Sequence, residues 1–141
     1  MKKRQPEGNW NEETGTATVT IYYNDKTFTG VAQCHADDMD FCSPKTGFYI
    51  AESRAAIALY QYRRDELKQQ LAALNQLYYT MNKSTHFNPK SYEATMLWRQ
   101  INFVKADIAN MRTMIARLKE DLREYLRLKE ELRTKLRKNR Q

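Results

Sequence analysis

The chain has 141 residues, 41% of them hydrophobic, with 24 Lys/Arg against 17 Asp/Glu and a formal net charge of +7. A length of this order suits one domain, and no apolar run approaches the roughly 18 residues a membrane-crossing helix needs. The opening MKKRQPEGNWNEE is basic but has no apolar stretch behind it, so a secretory signal is not expected, and the two cysteines read as free cytosolic thiols.

Charge is unevenly placed. From Arg112 onward there are eleven Lys/Arg and five Asp/Glu, so six of the seven excess positive charges lie in that segment. A basic helical tail suits an anionic partner; a solvated coiled-coil face of mixed charge is the plainer reading.

Residues 1–15 read as a polar arm. In TATVTIYY, Val19, Ile21 and Tyr23 alternate with Thr18, Thr20 and Tyr22, the period of a strand. Asn24-Asp25 is a turn pair suited to positive φ, and Phe28 to Cys34 resumes the extended pattern. The expectation is a hairpin over 16–23 and 26–34. Two strands alone are barely stable, so they must lie on a helix or pair with another chain.

Ser43-Pro44 opens a helix, with Ser as N-cap and Pro at the first helical position. Its apolar track is Ile50, Ile57, Tyr60, Leu67, Leu71, Leu74, Tyr78 and Met81, with Ser53 and Arg64 as polar exceptions. Asn88-Pro89 repeats the cap-plus-proline signal after the loop NKSTHFN. The second helix has an unbroken 4,3 spacing from Leu97 through Ile101, Val104, Ile108, Met111, Ile115, Leu118, Leu122 and Tyr125, continued by Leu132 and Leu136; only Lys129 interrupts it. That is a coiled-coil seam.

A short loop makes the helices antiparallel, in a register that sets Ile50 near Leu128 and Leu136 near Cys42 and the hairpin. The fold expected is α+β. A β-hairpin or small antiparallel sheet with its joint fills 16–43. A long antiparallel helical hairpin, coiled-coil-like, follows over 44–81 and 89–138. So small a core favours self-association.

Metal and catalytic chemistry find little support. Cys34, His35 and Cys42 lack zinc-finger spacing, and His86 is the only other histidine. Asp37, Asp38 and Asp40 lack the register of a calcium loop and read as caps near the following helix N-terminus. No nucleophile set, phosphate-cradling glycine loop or carboxylate pair can be assembled. The sequence therefore points to a non-enzyme without metal or cofactor.

The remaining candidate is a second stripe on the last helix, one residue beyond the seam. It contains Asn102, Lys105, Ala109, Arg112, Ala116, Lys119 and Arg123. Small residues there admit a ligand or another helix, and the cations can grip phosphates. Phe87, Tyr92 and Trp98 lie upstream and are candidates to stack a base. Arg54 and Arg64 sit near or on the first helix's seam. The plain expectation is that they pair with Glu120, Asp121 or Glu124; the sharper one is that they hold an anion.

A strand pair ending GVAQCH, an acidic ADDMD, then GFYIAESRAAI opening a long helix resembles the first family of phage anti-Thoeris sponge proteins, the Thoeris anti-defence protein 1 type. The resemblance covers most of the chain from about Val19. It implies a protein that binds immune signalling nucleotides without cleaving them, in the cytoplasm of an infected bacterial host. The implied ligands are cyclic ADP-ribose isomers held between protomers of a dimer or hexamer, with cyclic oligonucleotides at a separate site. The family's pocket uses an aromatic ring, an asparagine and two basic residues one turn apart on the last helix. Tyr92, Asn102, Lys119 and Arg123 match those types in order, although Lys119 stands where the family has Arg and offers a point charge in place of a planar fork. Arg54 in AESRAAI is the residue implied for the second nucleotide site. A nucleic-acid-associated basic coiled coil is the alternative reading, and a structural adaptor the third.

Overall fold

The structure, a computed structural model, describes residues 5–34 and 43–140. Its elements are β1 (Glu7–Asn11), β2 (Thr16–Tyr23), β3 (Lys26–Gln33), α1 (Pro44–Asn82) and α2 (Tyr92–Arg140). The chain divides into two compact units, one of Met1–Leu59 with Ile115–Gln141 and one of Tyr60–Met114. The class is α+β, a three-stranded antiparallel sheet followed by a long helical hairpin.

In the first unit the sheet order is β1-β2-β3. The hairpin of β2 and β3 is the one expected, with Tyr23 paired to Lys26 across Asn24-Asp25. Asn24 adopts φ 54°, the left-handed conformation its short polar side chain tolerates. The strand β1 falls in what reads as a polar arm. Its sequence EGNWN has no apolar alternation, and only Trp10 is even half-buried. Turn chemistry holds it instead. The Asn11 side chain accepts from the Glu13 and Thr14 amides at 3.0 and 3.3 Å, and Gly15, at φ 64°, donates its N–H to the Asn11 carbonyl at 2.8 Å. The chain then returns with Trp10 opposite Ala17.

Small residues decide how closely α1 approaches this sheet. Ala17, Val19, Ala32 and Ala51 form the buried cluster, with Trp10, Ile21, Phe48 and Ile50 packed around it. Gly47, Ala51 and Ala55 follow one another at one-turn spacing on α1; a Cβ on Gly30 of β3 would lie 1.9 Å from the Ala51 carbonyl oxygen. Alternation in β2 supplies the sheet's half of this contact, because Ala17 and Val19 are buried while Thr16, Thr18 and Thr20 are not.

The N-cap of α1 is the expected one. Ser43 Oγ accepts from the Thr46 amide at 3.2 Å, and the Ser43 carbonyl takes the Gly47 amide at 3.0 Å. Along α2 in this unit, Ile115 and Leu122 are buried, and the Tyr125 ring meets Tyr49 with centroids 4.2 Å apart. The expected register would have set residue 129 opposite Tyr49. Lys129, the break in the seam, lies over the Tyr125 ring at 5.4 Å, so its stem and charge both use the aromatic. Leu132 and Leu136 remain 50% and 38% exposed.

In the second unit Leu97, Ile101 and Ile108 are buried, and Tyr78 packs against both Phe87 and Trp98. Helix α2 starts at Tyr92, three residues after the expected 89. Asn88 closes a turn, accepting the Ser91 amide on its carbonyl at 3.0 Å and the Lys90 amide on its side chain at 3.0 Å. Pro89 therefore occupies the second position of a turn, where its fixed φ is equally suitable. The helix is capped by Ser91, whose Oγ takes the Ala94 amide at 3.2 Å.

Cys34 is half-buried and disulfide-bonded, which corrects the expectation of a free thiol; its partner lies outside the described residues. Local sequence is a poor guide to thiol state, because pairing depends on a proximity that topology sets. His35, Asp37, Asp38, Asp40 and Cys42 also lie outside the described residues. Among the described residues no group of three His, Cys, Asp or Glu is placed to hold a metal, and no described helix is long and apolar enough to cross a membrane.

Candidate ligand-binding residues

The seam of α2 is narrow. Buried positions recur as Leu97, Ile101, Ile108, Ile115 and Leu122. A stripe one residue beyond it stays outside the core: Asn102, Lys105, Ala109, Arg112, Ala116, Lys119 and Arg123 are all exposed. None belongs to the buried core.

Lys119 and Arg123 are one helical turn apart and share a face. The Arg123 guanidinium donates to Glu120 at 2.7 Å, with side-chain exposures of 73% and 65%. Such a solvated pair contributes little and yields readily to a stronger anion. Among the described residues Arg112 and Lys119 have no ion-pair partner. Lys105 Nζ sits 5.7 Å from the Trp98 ring centroid, which commits that cation to an aromatic face.

The three aromatics separate by environment. Phe87 is half-buried against the edge of Tyr78 at 5.9 Å, and Trp98 packs on the same ring at 5.8 Å. Both serve the unit's own packing, although Trp98 is still 49% exposed. Tyr92 is 75% exposed and is the ring with most surface open to a base.

Distance along the helix matters as much as face. Tyr92 and Lys119 are 27 residues apart on α2. At 1.5 Å per residue that is on the order of 40 Å, far beyond the reach of one small ligand. Asn102 lies between them, about 15 Å from Tyr92 by the same rise. Lys119 and Arg123 lie one turn apart in the first unit, whereas Tyr92 and Asn102 belong to the second.

Arg54 and Arg64 do not take the carboxylates expected for them. Arg54 Nη1 donates to the Val31 carbonyl at 2.6 Å, so it caps an outward-facing backbone group of the edge strand β3. Arg64 pairs with its neighbour Asp65 at 3.1 Å. Glu120 and Glu124 instead pair with Arg123 and Arg127 on their own helix.

Sequence reasoning passed over Phe103, which is 70% exposed, and Met96, at 39%. The available signal was position: each lies on the side of α2 turned away from the seam, where a solvated helix carries charge. Comparison with known proteins returns no matching family model, no matching curated protein and no matching solved structure.

Proposed function

We propose that this chain is a non-enzymatic phage immune-evasion protein that sequesters a cyclic nucleotide messenger, a cyclic ADP-ribose isomer, between protomers of a homo-oligomer. The observation that supports it is the stripe on α2: exposed along its whole length, it alternates small residues with cations and lies outside the core. Its members are too far apart to serve one ligand within a single chain, so a pocket that uses them all takes residues from two chains. In that pocket Tyr92 stacks on the base, and the Asn102 amide meets a base edge or ribose hydroxyl. Arg123 presents a bidentate fork to phosphate and Lys119 a point charge. Arg54 keeps further N–H donors beyond the one given to Val31, and these are the contacts proposed for a cyclic oligonucleotide at a second site.

The site of action proposed is the host cytoplasm; the Cys34 disulfide is the observation that weighs against it, since such bonds are rare there. The nucleic-acid alternative draws on the basic tail, yet Glu120, Glu124, Glu130 and Glu131 each take an arginine partner on α2. That surface alternates in sign, whereas tracking a phosphate backbone favours one sign on one face.

Thermal shift separates the two. Cyclic ADP-ribose isomers and cyclic di- and trinucleotides are compared with duplex DNA and RNA. A rise of several degrees with one small cyclic ligand, lost in Arg123→Ala with the oligomer intact, is expected. Salt-dependent duplex binding with no small-ligand response refutes the sponge reading.

A further inference from the structure

Within the first unit, helix α2 outruns α1. Tyr49 meets Tyr125, and α1 begins at Pro44, five residues before Tyr49. Five residues beyond Tyr125 on the antiparallel partner is residue 130, yet α2 continues to Arg140. Its apolar line continues too. Leu128, Leu132 and Leu136 recur about one turn apart and are 51%, 50% and 38% exposed. Exposed apolar surface of this kind marks an interaction site.

We infer that this leucine line rests on an anionic lipid surface, with the turns from Leu126 to Arg140 lying in the plane of the headgroups. The occupant follows from the charges around the line. This stretch holds seven Lys/Arg and two Asp/Glu. At about 100° per residue, Lys129 and Lys135 flank the leucines at about 60° to either side. Glu131 lies about 100° away and Glu130 about 160°. The side that carries the leucines is therefore cationic, and the acids fall on the other.

Both acids are also occupied on the helix itself. Arg127 holds Glu131 at 2.5 Å, and Arg133 holds Glu130. Lys135 has no ion-pair partner among the described residues. Lys129 Nζ sits 5.4 Å from the Tyr125 ring centroid, so an aromatic of the kind that favours the membrane boundary adjoins the leucines. A helix of this build sinks its apolar line about 5–10 Å into the boundary of headgroups and acyl chains. The lysine stems follow the apolar surface and return their charges to the headgroup phosphates.

Other occupants fit less well. A nucleic-acid phosphate backbone offers nothing apolar to three leucines. A second copy laid antiparallel about Leu132 would set Lys129 against Lys135 at both ends, like charge on like charge. The lipid contact is independent of the sponge reading, which uses neither the leucines nor these two lysines.

The test is co-sedimentation of the full chain with vesicles of phosphatidylcholine, alone or mixed with phosphatidylglycerol. Binding to the mixed vesicles and not to the neutral ones is expected, weakening as salt rises. Leu132→Ser combined with Leu136→Ser keeps every charge and is expected to weaken binding at least about tenfold. Helical circular dichroism should be retained, because both leucines are exposed. Lys135→Glu and Lys138→Glu change the net charge equally, but position 138 lies about 120° from the leucine line, so Lys135→Glu should weaken binding several-fold more. No binding to the mixed vesicles, a double leucine variant that binds normally, or equal effects at 135 and 138 overturns the contact. Binding to duplex DNA or RNA in place of vesicles, unchanged in the double leucine variant, assigns the basic turns to nucleic acid and overturns it as well. Vesicle binding that the double variant loses, with no response of Tm to any cyclic nucleotide, supports the contact and overturns the sponge. The same loss with Tm still raised by a cyclic nucleotide supports both.

Discussion

Gly30→Ala tests the tightest glycine position among the described residues. A Cβ at Gly30 falls 1.9 Å from the Ala51 carbonyl oxygen, 2.6 Å from the Ala55 nitrogen and 2.9 Å from the Ala51 carbonyl carbon. These are backbone atoms of α1, which cannot rotate away as a side-chain tip does. Restoring an ordinary 3.4 Å contact from 1.9 Å requires α1 to retreat by roughly 1.5 Å from the sheet. That retreat also loosens Ala17, Ala32 and Ala51, which are at most 6% exposed. Overpacking costs about 1–3 kcal/mol where neighbours can shift, so about 3 kcal/mol or more is expected here. For a chain of this length that lowers Tm by roughly 10 °C. Gly8→Ala is the control. Its Cβ meets only the Phe48 ring, at 3.0 Å, and the gain in strand propensity offsets the crowding, so a change within about 1 kcal/mol is expected. Trp10 fluorescence, read in a Trp98→Phe background, reports the sheet–helix core directly. If Gly30→Ala melts within about 2 °C of the parent, the helix does not approach the sheet as closely as described and the reasoning fails.

Ser91→Ala is expected to cost about 1 kcal/mol through loss of the α2 cap, and Asn88→Ala distinctly less, because Asn88 stabilises only the preceding turn. Equal losses of Tm would place the helix start at 89 after all. The Glu124 carboxyl is held below its ordinary range by its hydrogen bond from Arg127 and by that residue's charge. A depressed acid contributes stability above its unfolded-state range and loses it as pH falls through the folded value, so the tail of α2 should lose helicity on acidification. Glu124→Gln should flatten that part of the acid titration followed by circular dichroism; an unchanged curve refutes the assignment. The effect should be small and weaken with salt, since the pair is exposed.

Much of the candidate site was legible because it depends on helical periodicity alone. Once Leu97, Ile101 and Ile108 define the buried line, the exposure of Asn102, Lys105 and Arg112 follows from 3.5-residue spacing. The same spacing does not reveal that Phe87 and Trp98 converge on Tyr78 across the hairpin, a contact between distant parts of the chain. Nor does it predict that Arg54 takes a strand carbonyl in place of a carboxylate.

The sequence by itself determined the α+β class, the hairpin of β2 and β3, both long helices and the cap at Ser43, because each rests on neighbours a few residues apart. Tertiary structure decided the rest. It added β1, which has a turn to bring it back but no apolar pattern of its own. It moved the start of α2 to Tyr92, where Ser91 rather than Asn88 meets the free amides. It set the helix register at Tyr49 and Tyr125, and it made Gly30, silent in composition, the point of closest approach. Each of these depends on what lies across a gap in space, which no local rule along the chain can supply.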